Sequence, residues 1–228
     1  MENRFIFDLD GTVVNTQIPF NSFVESELLR IHQNIIIKPE ELASRFAGMA
    51  TKKVFKETAP NCDIDFMFKE KWRMMYELVK IKELKCLPFM YELIYDLNKN
   101  GNQIAVASAS PLLWVKSCLS NAIPCINKDI YSQKLIEIFD GKYFSAESCK
   151  NNKPEPDVLL MANDSFDNSL EWNTYIIGDG RGDVLAGIAA NFPVLYLSLS
   201  NNEFDNHHLV KRFSNTLALS IYIRQNLM

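Results

Sequence analysis

The sequence shows no excess of positive charge and no long apolar run. Its 228 residues include 24 Lys and Arg against 28 Asp and Glu, which gives a formal net charge of -4. This balance argues against a surface for nucleic acid or for an anionic membrane, since both need concentrated positive charge. No window reaches the apolar length of a membrane-spanning helix. Because a strand-like run begins almost at the first residue, we also expect no signal peptide.

The cysteines lack the spacing of a metal site or of a disulfide framework. There are 5 of them, an odd number, and no two form a Cys-x-x-Cys pair. This pattern favours a reduced, cytoplasmic protein over a disulfide-rich scaffold or a zinc site. A cysteine nucleophile has no support either, because the 3 histidines lie in no motif. We therefore expect the cysteines to fill the core as small apolar side chains.

The order of the apolar patterns predicts an α/β protein with an inserted helical block. The length suits one domain plus an insertion, and 47% hydrophobic residues are enough to build a core. Residues 18–87 show helical periodicity and no convincing strand. Residues 1–17 and 88–228 alternate strand-like and helix-like runs. This alternation predicts a doubly wound, mainly parallel, Rossmann-like sheet with right-handed crossovers. We also expect an extra amphipathic helix within 126–140 and a docked helix in the tail after residue 200.

Two aspartates follow the first strand-like run, one residue apart. The apolar run 5–7 leads into Asp8, and Asp10 follows just before Gly11. If the strand continues, Asp8 and Asp10 point to the same side, where a divalent cation would relieve their repulsion. Gly11 permits a sharp turn that brings backbone N–H groups to a ligand. These features suit phosphate chemistry at the end of a strand. An edge strand ahead of a solvated Asp-Gly turn has the same pattern.

Further polar groups occur where later elements are predicted to begin or end. The run 103–107 leads into Ser108, the run 175–177 leads towards Asp179, and Lys153 stands before a proline. Each has an ordinary structural explanation, because serine is a common helix N-cap and lysine before proline often precedes a helix. Together they supply a hydroxyl, a cation and a carboxylate at one edge of an α/β sheet, where ligands bind.

Taken in order, these motifs resemble those of the haloacid dehalogenase superfamily of phosphohydrolases. The motifs are Asp8-Leu9-Asp10-Gly11-Thr12, Ser108, Lys153-Pro154, and Gly178-Asp179 with Asp183. The resemblance extends to about Leu199, and the helical block looks like the cap of the branch with a helical insertion after the first motif. That branch includes phosphoglycolate phosphatase, β-phosphoglucomutase and small sugar-phosphate phosphatases. Within it, the segment 107–111 is most similar to hexitol-phosphate phosphatases.

The resemblance implies a catalytic role for four residues. Asp8 would attack phosphorus and form an aspartyl-phosphate, while Asp10 would protonate the leaving oxygen and later activate water. Lys153 would balance the negative charge of the phosphoryl group, and Ser108 would donate a hydrogen bond to it. The phosphate would also be bound by two backbone N–H groups, those of Leu9 and Ala109.

The resemblance also implies a Mg²⁺ ion as cofactor. The ion would bind the side chains of Asp8 and Asp179 and the backbone carbonyl of Asp10, and it would keep several waters. Asp183 would reach the metal through water or orient Lys153. The alternative explanation is that Asp179 and Asp183 are acidic residues at the start of a helix.

Substrate choice is expected to depend on the cap. Arg45, Gly48 and Lys52 cluster with Thr51 and Lys53 around a glycine break, where the specificity loop of the family falls. A cationic loop suits an anionic or polyhydroxyl substrate. A solvated basic helix face explains the same residues equally well.

The function predicted from the resemblance is a magnesium-dependent phosphatase for a small phosphorylated metabolite of the sugar-phosphate or phosphoglycolate type. Alternatives are a phosphomutase of the β-phosphoglucomutase type, phosphonate cleavage through a cap lysine, and a non-catalytic binding protein. Gly178 before Asp179 favours a hydrolase over a mutase, and the presence of both Asp8 and Asp10 argues against a non-catalytic protein. We expect a monomer or homodimer that binds neither nucleic acid nor membranes.

Overall fold

The structure is a computed structural model, and it describes most of the chain. None of the helices in the part described is both long and apolar enough to cross a membrane. All five cysteines are free thiols. The described residues are 2–46, 49–126, 131–167, 172–199 and 203–228.

The chain forms two compact units, and the second is inserted into the first. The first unit consists of Met1–Val14 and Leu84–Met228, and the second of Asn15–Glu83. The boundaries predicted from the sequence, after residues 17 and 87, lie within four residues of these. The inserted unit therefore begins soon after the two aspartates of the first motif.

The first unit is built on a six-stranded sheet. In that sheet the strand order is β5-β3-β1-β6-β7-β8, and every neighbouring pair is parallel. β2 and β4 form a separate parallel pair. This architecture confirms the predicted parallel α/β fold. The strands in chain order are β1 (Glu2–Phe7), β2 (Leu84–Lys85), β3 (Gln103–Ser108), β4 (Ala122–Ile123), β5 (Tyr143–Ser145), β6 (Trp172–Gly178), β7 (Val194–Leu197) and β8 (Val210–Phe213).

Helices connect the strands and make up the inserted unit. α1 to α4 belong to the second unit, where a π-helical turn at Gln17–Ser22 precedes them, and α5 to α10 belong to the first. The helices in chain order are α1 (Phe23–Gln33), α2 (Pro39–Arg45), α3 (Thr51–Thr58), α4 (Ile64–Ile81), α5 (Met90–Lys99), α6 (Leu112–Asn121), α7 (Leu135–Ile138), α8 (Asp157–Asp164), α9 (Arg181–Ala189) and α10 (Thr216–Asn226).

The strand order reverses between β1 and β6. From β1 the chain moves outward to β3 and β5, then returns to β6 on the other side of β1 and continues to β7 and β8. In open parallel sheets, ligands bind beyond the carboxyl ends of the strands at such a reversal. The residues that directly follow β1 and β6 are therefore placed where a ligand is expected.

Both faces of β1 are buried, which explains its continuous apolar run. Phe5, Ile6 and Phe7 have no exposed surface. The Phe5 ring stacks on Tyr175 with centroids 5.7 Å apart, and Phe7 meets the edge of Phe139 at 6.2 Å. Ile6 points to the other face and joins the core cluster beneath α8 and α9. Strands buried on both faces lack the alternating polar pattern of a half-exposed sheet.

The structure differs from two predictions about the later part of the chain. The tail forms a strand, β8, before the predicted helix, α10. Of the four residues of β8, only Phe213 is buried, and Lys211 and Arg212 are the charged residues typical of an edge strand. The predicted helix within 126–140 is reduced to a single turn, α7, and residues 127–130 of that segment lie outside the described residues.

The second unit contains a buried ion pair. Nζ of Lys71 lies 2.9 Å from Oε1 of Glu25, and both side chains are buried. The hydroxyl of Thr51 donates a 2.9 Å hydrogen bond to the same carboxylate and accepts one from Lys71. These contacts join α1, α3 and α4, because each helix contributes one of the three residues. The start of α3 is therefore anchored inside its own unit.

Candidate active site

The segment after β1 turns back around the carbonyl group of Leu9. This carbonyl accepts hydrogen bonds from the N–H groups of Val13 at 2.9 Å and Val14 at 3.0 Å. The turn uses Gly11, whose φ of +85° is a value that residues with a side chain rarely adopt. A Cβ atom at Gly11 would also lie 2.4 Å from Oδ2 of Asp179. Glycine is therefore required both for the backbone conformation and for the close approach of Asp179.

The carboxyl edge of the sheet brings the predicted core residues together. Asp8 directly follows β1, Ser108 is the last residue of β3, and Asp179 directly follows β6. The backbone N–H of Asp8 still donates to the carbonyl of Ile177 at 2.8 Å, so the pairing of β1 with β6 holds Asp8 in place. Carboxylate oxygens of Asp8, Asp179 and Asp183 all lie within 4.8 Å of one another.

Lys153 is fixed by three acceptors. Its Nζ lies 2.7 Å from Oδ1 of Asp8, 2.6 Å from Oδ1 of Asp183 and 2.7 Å from the carbonyl oxygen of Ala107. These contacts use all three N–H bonds of the ammonium group. The side chain is only 5% exposed, so the charge is placed beside Asp8 with little freedom to move.

Asp183 holds Lys153 from the start of α9. Its second oxygen, Oδ2, accepts a 2.9 Å hydrogen bond from the N–H of Gly180, the residue before the helix. A Cβ atom at Gly178 would lie 2.4 Å from Cβ of Asp183, so that glycine leaves room for the aspartate. Both oxygens of Asp183 are thus engaged by protein groups. Of the two roles predicted for Asp183, this geometry corresponds to the orientation of Lys153.

The crowding of carboxylates changes the protonation equilibria of the site. Burial raises the pKa of Asp8 well above its usual range, and so do the charges of Asp183 and Asp179, although Lys153 opposes them. Burial alone would lower the pKa of Lys153, but the charges of Asp183 and Asp8 raise it overall. Asp179 is open to solvent on one side. Desolvation of its carboxyl group and the charge of Asp183 still raise the pKa of Asp179 to about 7, against a hydrogen bond from Thr12 that lowers it.

A hard divalent cation fits this excess of negative charge. Oδ1 of Asp8 is held by Lys153 and Oδ1 of Asp179 accepts a 2.9 Å hydrogen bond from Thr12. In the described part of the chain, no side chain donates a hydrogen bond to Oδ2 of Asp8 or to Oδ2 of Asp179, so each carboxylate has an oxygen available to a metal. Mg²⁺ prefers oxygen ligands and is commonly held by one or two carboxylates, with waters and substrate oxygens completing its shell.

Hydrogen-bond donors for a phosphate lie at the same edge of the sheet. Oγ of Ser108 accepts a 3.0 Å hydrogen bond from the N–H of Ser110, so its own O–H is directed elsewhere and can donate. The backbone N–H groups of Leu9 and Ala109 have no acceptor among the described residues. Backbone N–H groups without an acceptor are well suited to bind an anion.

The carboxylate of Asp10 is held by two side chains that follow β3. The hydroxyl of Ser110 donates to Oδ2 of Asp10 at 2.7 Å. The indole Nε1–H of Trp114 donates to Oδ1 at 2.9 Å. Trp114 lies in α6 and is completely buried. The orientation of the Asp10 carboxylate is therefore set by two residues, Ser110 in the loop after Ser108 and Trp114 in α6.

A family model described as haloacid dehalogenase-like hydrolase matches residues 5–197. The chain belongs to this family. The match contains all the motifs on which the predicted resemblance was based, so that prediction is confirmed. No curated protein matches the chain by sequence.

Solved structures of other proteins share the fold of this hydrolase over nearly its whole length. CbbY from Rhodobacter sphaeroides in complex with phosphate is 18% identical, with 93% of each chain covered and a TM-score of 0.71. A candidate phosphoglycolate phosphatase from Lactobacillus plantarum is 20% identical, with 96% of this chain and 98% of that chain covered and a TM-score of 0.72. The β-phosphoglucomutase of Clostridium difficile is 22% identical, with 99% of this chain and 96% of that chain covered and a TM-score of 0.66. The second and the third of these proteins carry names of the predicted branch, and the likeness of all three confirms the fold.

In this hydrolase the predicted substrate residues belong to the second unit. The guanidinium of Arg45 lies 5.0 Å from the ring centre of Phe46 and the residue is exposed. Nζ of Lys52 lies 2.7 Å from Oδ1 of Asp65, in an ion pair whose side chains are 53% and 78% exposed. Gly48 lies outside the described residues. Lys52 thus has a counter-charge within its own unit, and the assignment of these residues to substrate stays a prediction.

Three residues for which the sequence predicted no role contact Asp10 or Asp179. Thr12 and Ser110 stand inside recognised motifs, so their hydroxyl groups were visible signals. Trp114 carries no such signal, because a buried aromatic residue in an amphipathic helix usually belongs to the core. Only its contact with Asp10, 104 residues earlier, reveals a further role.

Proposed function

We propose that this hydrolase is a magnesium-dependent phosphatase that cleaves a small phosphorylated metabolite through an aspartyl-phosphate on Asp8. The observation that carries the proposal is the position of Asp8 between Lys153 and the oxygen ligands expected for a metal. Such a site combines a nucleophile with cationic groups that neutralise a phosphoryl group. The crystal structure of CbbY, which has the same fold, contains phosphate.

Asp8 is oriented to act as the nucleophile. One carboxylate oxygen of Asp8 forms a bond to phosphorus while the bond from phosphorus to the substrate oxygen breaks, and Lys153 keeps the carboxylate in place. The leaving oxygen takes a proton from Asp10. The hydroxyl of Ser108 and the N–H groups of Leu9 and Ala109 bind the phosphoryl oxygens as charge develops on them.

The second half of the reaction regenerates the enzyme. Water attacks the phosphorus of the aspartyl-phosphate, Asp10 accepts a proton from that water, and the bond between Asp8 and phosphorus breaks to release phosphate. Lys153 stays positively charged throughout, since two carboxylates raise its pKa. Its charge therefore stabilises both the free carboxylate and the phosphorylated form of Asp8.

The metal would be held by the side chains of Asp8 and Asp179 and by the backbone carbonyl of Asp10. When bound, Mg²⁺ would neutralise phosphoryl charge and help to align the phosphate with Asp8. Asp183 acts through Lys153, because its two oxygens bind Nζ of Lys153 and the N–H of Gly180. Thr12 orients the Asp179 carboxylate through its 2.9 Å hydrogen bond.

The inserted unit, residues 15–83, serves as the specificity cap in this proposal. Arg45 and Lys52 are exposed cationic residues on that unit, and Gly48 stands between them in the sequence. Exposed positive charge suits the hydroxyl-rich or anionic part of a sugar phosphate or of phosphoglycolate. A screen for phosphate release from both substrate types decides between them.

A phosphate-release screen over a panel of phosphorylated metabolites, with Mg²⁺ and with a chelator, tests the function. We expect turnover of at least one sugar phosphate or of phosphoglycolate, and loss of turnover with chelator. Asp8→Asn keeps the shape of the side chain but not its nucleophilicity, so activity should disappear while the circular dichroism spectrum stays unchanged. Near-normal turnover by Asp8→Asn would place the nucleophile elsewhere. Analysis of the sugar-phosphate products by NMR separates hydrolysis from phosphate migration within one sugar.

A further inference from the structure

Asp10 is held by two donors that approach different oxygens of its carboxylate. Oγ of Ser110 lies 2.7 Å from Oδ2, and Nε1 of Trp114 lies 2.9 Å from Oδ1. A single hydrogen bond lets an aspartate carboxylate rotate about its Cβ–Cγ bond. Two donors on different oxygens fix that rotation. The pair therefore determines the direction in which Asp10 presents each oxygen.

Both donors are themselves held in place. The N–H of Ser110 donates to Oγ of Ser108 at 3.0 Å, and its carbonyl accepts a 2.7 Å hydrogen bond from Oγ of Ser145. Trp114 is completely buried within α6, so its indole ring cannot turn without repacking of the core. Ser110 and Trp114 are thus a rigid support, and a rigid support is what precise placement of a catalytic group requires.

The chemistry of the two donors differs in a way that matters for proton transfer. An indole N–H only donates, so it favours the form of Asp10 in which Oδ1 is the unprotonated oxygen, which is the stronger acceptor. A serine hydroxyl both donates and accepts, so Ser110 can reverse its hydrogen bond when Oδ2 carries a proton. The geometry therefore distinguishes the two oxygens of Asp10.

We propose that Ser110 and Trp114 are positioning residues for acid-base catalysis, and that they make Oδ2 of Asp10 the oxygen that gives up and takes back the proton. This inference rests on the proposed function, in which Asp10 protonates the leaving oxygen and then activates water. In the first step the proton moves from Oδ2 to the leaving oxygen, and Ser110 donates to Oδ2 again. In the second step water returns a proton to Oδ2 as phosphate forms.

The test separates the two chemical steps in a single-turnover reaction with enzyme in excess and 2,4-dinitrophenyl phosphate as the probe. Dinitrophenolate is a stable anion that leaves without a proton, so its release reports the attack of Asp8 without help from Asp10. The later release of inorganic phosphate reports hydrolysis of the aspartyl-phosphate, in which Asp10 acts as the base. Both rate constants come from the same sample.

For Ser110→Ala we expect dinitrophenolate release to change by less than about twofold. Phosphate release should slow by about 10- to 100-fold, because a misplaced base loses much of its contribution. Ser110→Thr keeps the hydroxyl and should restore most of the rate. Trp114→Phe, and replacement of Trp114 by its benzothiophene isostere, should show the same selective loss. The isostere keeps the shape of indole but not its N–H. A slower rate with the isostere therefore reflects the missing hydrogen bond and not a packing defect.

The matched control is Ser117→Ala. Ser117 lies on α6, and its hydroxyl donates only to the carbonyl of Leu113 in the same helix at 2.8 Å. It should leave both rate constants unchanged. Equal slowing of both steps in Ser110→Ala and in the isostere would indicate a merely structural role, and no slowing of either step would show that Asp10 needs no support. Failure of the proposed function looks different, since the wild-type protein would then release neither dinitrophenolate nor phosphate.

Discussion

Replacement of Gly11 by alanine tests the local geometry of the site most directly. Two separate costs are expected. The first is backbone strain, because a residue with a side chain at a φ of +85° is held in the left-handed region, at a cost of about 1–2 kcal/mol. The second is a collision, because the new Cβ atom would lie 2.4 Å from Oδ2 of Asp179.

The size of the collision can be read from the distances. Ordinary van der Waals contact of a Cβ atom begins near 3.4 Å, so the carboxylate of Asp179 would have to move by about 1 Å. Oδ2 is the oxygen of Asp179 that we propose as a metal ligand. Since a misplacement of about 1 Å can cost roughly 100-fold in rate, we expect kcat to fall by about that factor. The affinity for Mg²⁺ should fall as well.

The chain offers a matched control for the strain. Gly141 has a φ of +79°, but a Cβ atom there would meet nothing within 4 Å. Gly141→Ala should therefore lose a similar free energy of unfolding in urea while its Mg²⁺ affinity, measured by calorimetry, and its phosphate release stay at wild-type values. If Gly11→Ala binds Mg²⁺ and releases phosphate as well as Gly141→Ala does, the contact between Gly11 and Asp179 has no functional importance and our reasoning is refuted.

Three further predictions follow from the charges of the two units. Because the pKa of Asp179 is raised to about 7, ionisation of its carboxyl group destabilises the metal-free fold. This cost is complete above about pH 7 and disappears as the pH falls from there towards the ordinary pKa of aspartate, about 4. Protons and Mg²⁺ thus compete, so Mg²⁺ should raise the melting temperature more at about pH 8 than at about pH 5.5, a difference that Asp179→Asn should reduce. Asp183→Asn should reduce kcat by about 10- to 100-fold with little change in Mg²⁺ affinity, because Asp183 acts through Lys153. An equal loss of Mg²⁺ affinity in calorimetry would instead identify Asp183 as a metal ligand. If Lys52 contacts substrate, Lys52→Met should raise KM for the metabolite identified by the screen and leave KM for an aryl phosphate unchanged. Unchanged KM values for both substrates would limit Lys52 to its ion pair with Asp65.

The sequence was sufficient to predict the sheet and the family, because their signals are local. A strand buried on both faces appears as a continuous apolar run, as in residues 5–7, and the polar residue that follows it marks the carboxyl end. The order of such runs and of the helices between them implies a parallel sheet. Since a parallel sheet collects its carboxyl ends at one edge, the sequence alone predicts that Asp8 and Asp179 lie close together.

The sequence did not reveal β8, for a reason that is also physical. An edge strand has one side without a partner, and charged residues such as Lys211 and Arg212 protect it from pairing with other chains. The same charges interrupt the apolar pattern from which a strand is recognised. The strand becomes evident only because it pairs with β7 from Val194 to Leu197.

The tertiary structure alone decided how the catalytic aspartates are held. Lys153 contacts Asp8 across 145 positions of the chain, and Trp114 contacts Asp10 across 104. The type of each residue is compatible with several roles, since a lysine before a proline is usually on the surface and a tryptophan in a helix is usually in the core. Which role applies depends on where the chain returns against the sheet, and that is set by the packing of whole elements rather than by any local pattern.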